Sequence, residues 1–208
     1  MQFKVCGMTT IEQADAIAQQ GVGYIGFIFY PLSKRYALAS LSLDQIASFA
    51  PKQAKKVGVF VNETIEKVQE IAYKAGLDMI QLHGEEDAAY CAKLQEKFPV
   101  IKVFRVSKMV PDVADYDNAA AYYLFDTDSD LYGGSGQHFN WEIIKKTQFN
   151  KPFFLSGGIG MNDVQGIQVM QATTAGKDMI AVDLNSKFEI TPGVKNIELI
   201  KTFKDAFI

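Results

Sequence analysis

The sequence predicts an α/β protein that folds as a single-domain (β/α)8 TIM barrel over residues 1–208. Short apolar segments alternate with amphipathic segments along the chain, and this alternation favours a parallel sheet with helical crossovers. Eight such pairs in 208 residues leave about 26 residues for each pair, enough for a short strand, a helix and tight loops. The length lies near the lower limit of about 200 residues for a barrel. A doubly wound open sheet, which usually needs fewer units, is the alternative fold.

The first half of the chain contains four predicted strands, each followed by a helix. Thr9 and Glu12 fit a capping box at the first helix, Gly21 fits its end, and Asn62 fits the cap of the third helix. We assign strands to residues 3–6, 24–29, 56–61 and 79–82, and helices to residues 10–20, 43–50, 62–76 and 85–98.

The second half repeats this pattern with one weak unit. The segment 111–121 begins with Pro111, which fits a helix start, and a helix is expected there. It has few large apolar residues after Pro111. We assign the other elements to strands 100–106, 122–125, 152–156 and 179–184, and to helices 140–146, from 162 onward, and 194–207.

Three glycines early in the chain imitate a dinucleotide-binding motif. Gly21, Gly23 and Gly26 match the spacing G-x-G-x-x-G. That fingerprint requires a strand before the glycines and a helix after them, whereas here a helix precedes and a strand follows. We therefore predict no dinucleotide site.

Composition excludes several classes of partner. A net charge of −3 and a pI near 5.4 leave no general basic surface for nucleic acid or an anionic membrane. The chain starts on its first strand, without a leader pattern or a long apolar run, so a cytoplasmic protein is expected. Cys6 and Cys91 are expected to be free thiols, and the two histidines show no metal-binding motif.

Polar residues and glycines follow the predicted strands, at the end where barrels bind their ligands. Cys6 could be a nucleophile, a base or a packed side chain. Arg35 offers a fork for a carboxylate or is a solvated charge, and His83 could equally hold a neighbouring loop. The expected mouth residues are Cys6, Arg35, His83, Arg105, Asp126, Gly157, Gly158, Asn185 and Ser186.

Two of these loops fit a phosphate site. Gly157 and Gly158 follow strand seven, while Asn185 and Ser186 follow strand eight, where barrels usually hold phosphate. A plain tight turn is the alternative for the two glycines. The sequence GGSG at residues 133–136 suits a lid over the substrate, or an ordinary surface loop.

Several short stretches, in order along the chain, resemble the phosphoribosylanthranilate isomerase family of tryptophan biosynthesis. They read KVCGMT at 4–9, GFIF at 26–29, SKR at 33–35, VGVF at 57–60, QLHG at 81–84, GGSG at 133–136, FNW at 139–141, LSGGI at 155–159 and PGVK at 192–195. Any one of these stretches is weak evidence, but together they are specific. The family pattern differs at Lys34, where proline is common, and in the sequence DLNSK at 183–187.

The resemblance implies a cofactor-free Amadori rearrangement of N-(5-phosphoribosyl)anthranilate. We expect either a monomer or a homodimer. It implies that Cys6 is the general base at ribose C2 and that Asp126 is the general acid at the ring oxygen. We expect the two groups to be tuned in opposite directions, Cys6 toward thiolate and Asp126 toward keeping its proton. The expected substrate-binding residues are Arg35, which would hold the anthranilate carboxylate, with His83, Gly134, Gly157, Gly158, Asn185 and Ser186.

Other functions stay open at this point. A barrel that only binds a phosphorylated sugar would need neither Cys6 nor Asp126. The related histidine-pathway isomerase has Asp at the end of strand one, and indole-glycerol-phosphate synthase relies on a Lys acid, so Cys6 argues against both. A thiol-redox protein would need a resolving cysteine, and none lies near Cys6 in sequence.

Overall fold

Eight parallel strands close into a barrel in the order β1 to β8. The structure is a computed structural model that describes residues 1–127 and 140–207. The predicted fold class is confirmed. The strands are β1 Gln2–Cys6, β2 Tyr24–Ile28, β3 Lys55–Phe60, β4 Met79–Leu82, β5 Val100–Val106, β6 Tyr122–Thr127, β7 Phe153–Leu155 and β8 Met179–Leu184.

Helices cover the outside of the barrel. In the described residues they are α1 Ile11–Gln19, α2 Leu43–Ser48, α3 Ile65–Ala75, α4 Ala88–Gln95, α5 Glu142–Lys145, α6 Val164–Gln171 and α7 Ile197–Asp205. The helix expected at 111–121 is wrong, because only a 3-10 turn at Ala114–Tyr116 forms between β5 and β6. Its few large apolar residues give a helix too little surface to bury. No helix in the described ranges is long and apolar enough to span a membrane.

A small hairpin replaces the predicted start of the last helix. Strand β9 (Glu189–Thr191) pairs antiparallel with β10 (Val194–Lys195), and α7 begins only after Asn196, which caps it. The hairpin also changes the role of Thr9, which was expected to cap α1. The Thr9 hydroxyl donates to the Gly193 carbonyl at 2.6 Å, and Thr10 caps α1.

The other incorrect cap is Asn62. Thr64 caps α3, whereas Asn62 adopts a left-handed conformation with φ of 50°. Its side-chain oxygen accepts a hydrogen bond from the Glu85 backbone N–H at 2.7 Å. Asn62 therefore joins the loop after β3 to the loop after β4, which carries His83.

The alternation of side chains along β1 positions the site. Phe3 faces the helices, where its ring lies 6.0 Å from that of Phe203. Because successive side chains in a strand point to opposite faces, Lys4 and Cys6 point into the barrel. Lys4 is fully buried there and forms an ion pair with Asp183 at 2.9 Å.

Candidate active site

A cleft opens at the carboxyl ends of the strands. It brings together most of the predicted site residues: Cys6, Arg35, His83, Asp126, Gly157, Gly158, Asn185 and Ser186. Gly134 and the predicted lid at 133–136 lie outside the described residues. Arg105 is not among the described residues that line the cleft, and it pairs with Glu85 at 3.1 Å beside the loop of His83.

Cys6 ends β1 as a buried thiol with 4% exposure. A Cβ atom on the neighbouring Gly26 would lie 2.7 Å from its Sγ, so glycine at that position in β2 leaves room for the sulfur. Burial raises the pKa of Cys6, although the Lys4 and Lys195 ammonium groups oppose that rise. The expectation of a thiolate-prone Cys6 is therefore wrong, because desolvation outweighs the two cations.

Asp126 reaches the cleft from β6, with 7% exposure. Its Oδ1 accepts a hydrogen bond from the Thr127 backbone N–H at 2.9 Å, and its Oδ2 lies 3.2 Å from Nε2 of His83. On the other side of the ring, Nε2 of Gln81 lies 3.4 Å from Nδ1 of His83. His83 thus stands between an amide on its own strand and the proposed acid.

Arg35 also lines the cleft, but its guanidinium is already engaged by a carboxylate of the protein. Its Nε donates to Glu189 Oε1 at 2.8 Å, and its Nη2 donates to Oε2 at 2.6 Å. Lys195 Nζ lies 2.7 Å from the same carboxylate. Burial opposes ionisation of the Glu189 carboxyl group. Arg35 and Lys195 nevertheless hold the pKa of this group below its ordinary value.

Sequence reasoning did not identify Glu189 or Lys195. Lys195 lies inside the PGVK stretch that carries part of the resemblance, and this was the available signal. Glu189 stands in no recognisable spacing pattern. Lys195 Nζ also donates to Asn185 Oδ1 at 2.7 Å. Glu189 and Lys195 therefore connect Arg35, the expected carboxylate-binding residue, to Asn185, an expected phosphate-binding residue.

The expected phosphate end lies in the loops after β7 and β8. Gly157 and Gly158 have φ of +97° and +66°, a backbone conformation that residues with a Cβ rarely adopt. Ser156, Asn185 and Ser186 line the same cleft as the two glycines. Glycines at this point let backbone N–H groups come close to an anion.

Two buried acceptor atoms beside the cleft were also missed. Within the described residues, neither Oε1 of Gln81 nor Oδ1 of Asp183 has a hydrogen-bond partner. Both residues line the cleft. The alternation of inward positions along β4 and β8 was the signal that could have found them, since a polar residue facing inward near a strand's carboxyl end faces the ligand.

Comparison with known families identifies the scaffold. The sequence profile of N-(5'phosphoribosyl)anthranilate (PRA) isomerase matches residues 3–206. This chain belongs to the PRA isomerase family. An N-(5'-phosphoribosyl)anthranilate isomerase from Parabacteroides distasonis is 38% identical over 206 residues, covering 98% of this chain and 91% of that relative.

Solved structures of PRA isomerases share the fold over the whole chain. The crystal structure of the enzyme from Thermus thermophilus has a TM-score of 0.84 at 27% identity, covering 100% of this chain and 98% of the other. A second PRA isomerase, crystallised with reduced 1-(o-carboxyphenylamino)-1-deoxyribulose 5-phosphate, has a TM-score of 0.76 at 32% identity. The alignment covers 100% of this chain and 98% of that structure.

Proposed function

We propose that this protein converts N-(5-phosphoribosyl)anthranilate into 1-(2-carboxyphenylamino)-1-deoxyribulose 5-phosphate, an isomerisation in tryptophan biosynthesis. One observation carries the proposal: Cys6 and Asp126 face the same cleft from β1 and β6 in a chain that belongs to the PRA isomerase family. The cleft thus offers an acid and a base to one sugar ring.

Asp126 acts first, as the general acid. It gives its proton to the ring oxygen of the ribose, the bond from C1 to that oxygen breaks, and C1 becomes part of a protonated imine. His83, 3.2 Å from Oδ2, holds the carboxyl group in place. Both groups are nearly buried, so the proton passes to the substrate in a site with little competing water.

Cys6 acts second, as the general base. The protonated imine makes the C2 hydrogen acidic, and the thiolate removes it to give an enolamine. Burial disfavours that thiolate in the free protein, and the positive imine next to it offsets the penalty. The reaction needs no cofactor, because the substrate's own imine accepts the electrons that the C2–H bond leaves behind.

The two charged ends of the substrate fit two groups of residues in the cleft. Arg35 holds the anthranilate carboxylate through Nη1, the donor group that Glu189 does not engage. Backbone N–H groups at Gly157 and Gly158, with Asn185 and Ser186, hold the phosphate. His83 and Gly134 stay predictions as substrate contacts, as do the monomer or homodimer state and the cytoplasmic location.

The test is conversion of freshly generated N-(5-phosphoribosyl)anthranilate, with substrate and product separated by chromatography because they have equal mass. Cys6→Ala and Asp126→Ala are expected to lose about 100-fold or more of kcat while still binding the reduced product analogue. Cys91→Ala is the matched control, because Cys91 is also buried but lies in helix α4, outside the cleft, and its replacement should leave kcat unchanged. A folded parent protein that does not convert the substrate, yet binds the analogue, would instead make the chain a phosphosugar-binding barrel.

A further inference from the structure

Asp183 on β8 has one carboxylate oxygen that the protein itself does not use. Oδ2 accepts from Lys4 Nζ at 2.9 Å. Oδ1 is buried, and no residue in the ranges 1–127 and 140–207 donates to it. Asp183 lines the cleft with 7% exposure. A buried carboxylate oxygen without a donor is costly, so this atom is suited to a donor on the substrate.

The register of the barrel places this oxygen beside the proposed base. Lys4 on β1 is paired with Asp183 on β8. Cys6 lies two residues farther along β1 and therefore points into the barrel on the same side as Lys4. Asp183 and Cys6 thus line one wall of the cleft from adjacent strands. Asp126 reaches the cleft from β6, separated from β8 by β7.

The second half of the proposed reaction needs a base near Cys6. When Cys6 has taken the C2 hydrogen, the substrate is an enolamine with a double bond between C1 and C2 and a hydroxyl on C2. Formation of the ketone requires C1 to gain a proton and the C2 hydroxyl to lose one. Cys6, now a thiol, holds the proton for C1, so the hydroxyl proton requires a different acceptor.

We propose that Asp183 is that acceptor and takes the C2-hydroxyl proton on Oδ1; this inference rests on the isomerase function proposed above. The O–H bond breaks and C2=O forms, while the electrons of the C1=C2 bond take the proton from the Cys6 thiol. Asp183 ends protonated and Asp126 ends ionised. After the product leaves, one proton passes from Asp183 to Asp126 through the water that refills the cleft, which restores both groups without any co-reactant.

The electrostatics of Asp183 suit a proton acceptor. Burial raises the pKa of its carboxyl group, and the nearby Asp126 carboxylate adds to this effect, although Lys4 opposes it. A carboxylate with a raised pKa binds a proton more readily than one in water. The ion pair with Lys4 keeps the ionised form in place between turnovers.

The experiment measures C2–H exchange separately from turnover in D2O. Asp183→Asn is expected to lower kcat about 100-fold, while substrate recovered from the same reaction continues to gain deuterium at C2, because Cys6 and Asp126 still form the enolamine. Recovered substrate is separated by chromatography, and its deuterium content is read by mass spectrometry. Asp126→Asn is the matched control; it keeps the ring closed and should lose exchange and turnover together.

Three results would overturn the role of Asp183. Parallel loss of exchange and turnover in Asp183→Asn would mean that Asp183 only positions Lys4 and Cys6, and unchanged turnover would mean that it takes no proton. If circular dichroism finds Asp183→Asn unfolded, Asp183→Ala is assayed with added formate, whose carboxylate can pair with Lys4. Formate should then restore turnover in Asp183→Ala and not in Cys6→Ala, and no restoration in the folded variant overturns the proposal. An inert parent protein would instead reject the isomerase function itself.

Discussion

The Nε2 atom of His83 lies 3.2 Å from Oδ2 of Asp126, so the proposed acid on β6 is held by an imidazole that follows β4, two strands away in the barrel. Gln81 fixes the direction of this interaction. Its side-chain Nε2 can only donate, and it lies 3.4 Å from Nδ1 of the ring. Nδ1 is then the acceptor and Nε2 carries the hydrogen that is donated to Asp126. His83 is therefore a positioning residue for the acid.

Replacing His83 should lower kcat more than it changes KM. In His83→Ala, Asp126 keeps its proton-donating group but loses the donor that orients it, so we expect kcat to fall about tenfold at nearly constant KM. Steady-state kinetics on the freshly made substrate measures both. Gln81→Ala is the partner variant and should show a smaller effect of the same kind. A rise in KM with kcat intact would instead support the sequence-based assignment of His83 as a substrate contact.

The buried Cys6 thiol predicts an alkaline limb in the pH profile of kcat/KM. The reactive form is the thiolate, and burial raises the pKa of Cys6 above its ordinary value. Asp126 must keep its proton while Cys6 loses its own, so below the pKa of Cys6 each gain in thiolate is offset by an equal loss of the protonated acid. We therefore expect kcat/KM to fall only above the raised pKa of Cys6, beyond about pH 9. A fall that begins below the ordinary pKa of a thiol contradicts the assignment.

The alkylation rate of Cys6 provides an independent reading of the same ionisation. Iodoacetamide reacts with thiolates, and the Cys91→Ala background leaves Cys6 as the one thiol in the chain. Its alkylation rate should rise with pH and level off at the pH above which kcat/KM falls. If these two transitions occur at different pH values, the limb in the activity profile belongs to another group.

Local patterns predicted the barrel and most of the site. Strand bounds at Met79–Leu82, Val100–Val106 and Met179–Leu184 agree with the sequence assignment, because continuous apolar runs bounded by turns define buried strands. Residues directly after those strands must lie at one end of a parallel barrel. Cys6 and Asp126 could therefore be placed in the cleft before any contact was known.

The pairs that organise the cleft could not be predicted in this way. Lys4 and Asp183 are 179 residues apart in sequence, and Arg35 and Glu189 are 154 apart. The first pair joins β1 to the last barrel unit, and the second joins the loop after β2 to it. A single sequence contains no signal that tells which charged residues meet when a barrel closes. The raised pKa of Cys6 could not be predicted for the same reason, because the burial that causes it depends on the packed structure.

Removing Glu189 should destabilise the protein strongly. In Glu189→Leu the cations of Arg35 and Lys195 face each other without the carboxylate that joins them. The Lys195 side chain is fully buried. Breaking a buried pair in this way costs about 3–5 kcal/mol, which lowers Tm by roughly 6–20 °C in a domain of this size. Thermal unfolding followed by circular dichroism measures the shift.

An exposed ion pair in the same protein is the matched control for Glu189. Glu85, whose side chain is 72% exposed, pairs with Arg105 at 3.1 Å. Surface pairs contribute at most about 1 kcal/mol, so Glu85→Leu should change Tm by only a few degrees. Equal shifts in the two variants would mean that Glu189 does not join the two cations in solution.

Gly157 should be far less replaceable than the adjacent Gly158. A Cβ atom at Gly157 would lie 2.3 Å from Thr127 Oγ1 and 3.2 Å from Asp126 Oδ1, so Gly157→Ala must displace either the phosphate loop or the acid. At Gly158, φ of +66° is the left-handed conformation, and alanine there costs about 1–2 kcal/mol of backbone strain. We expect Gly157→Ala to weaken binding of the reduced product analogue about tenfold or more, a loss of about 1.4 kcal/mol, and to lower kcat as well. Isothermal titration calorimetry of both variants measures the difference, and parent-like affinity in Gly157→Ala would place the phosphate elsewhere in the cleft.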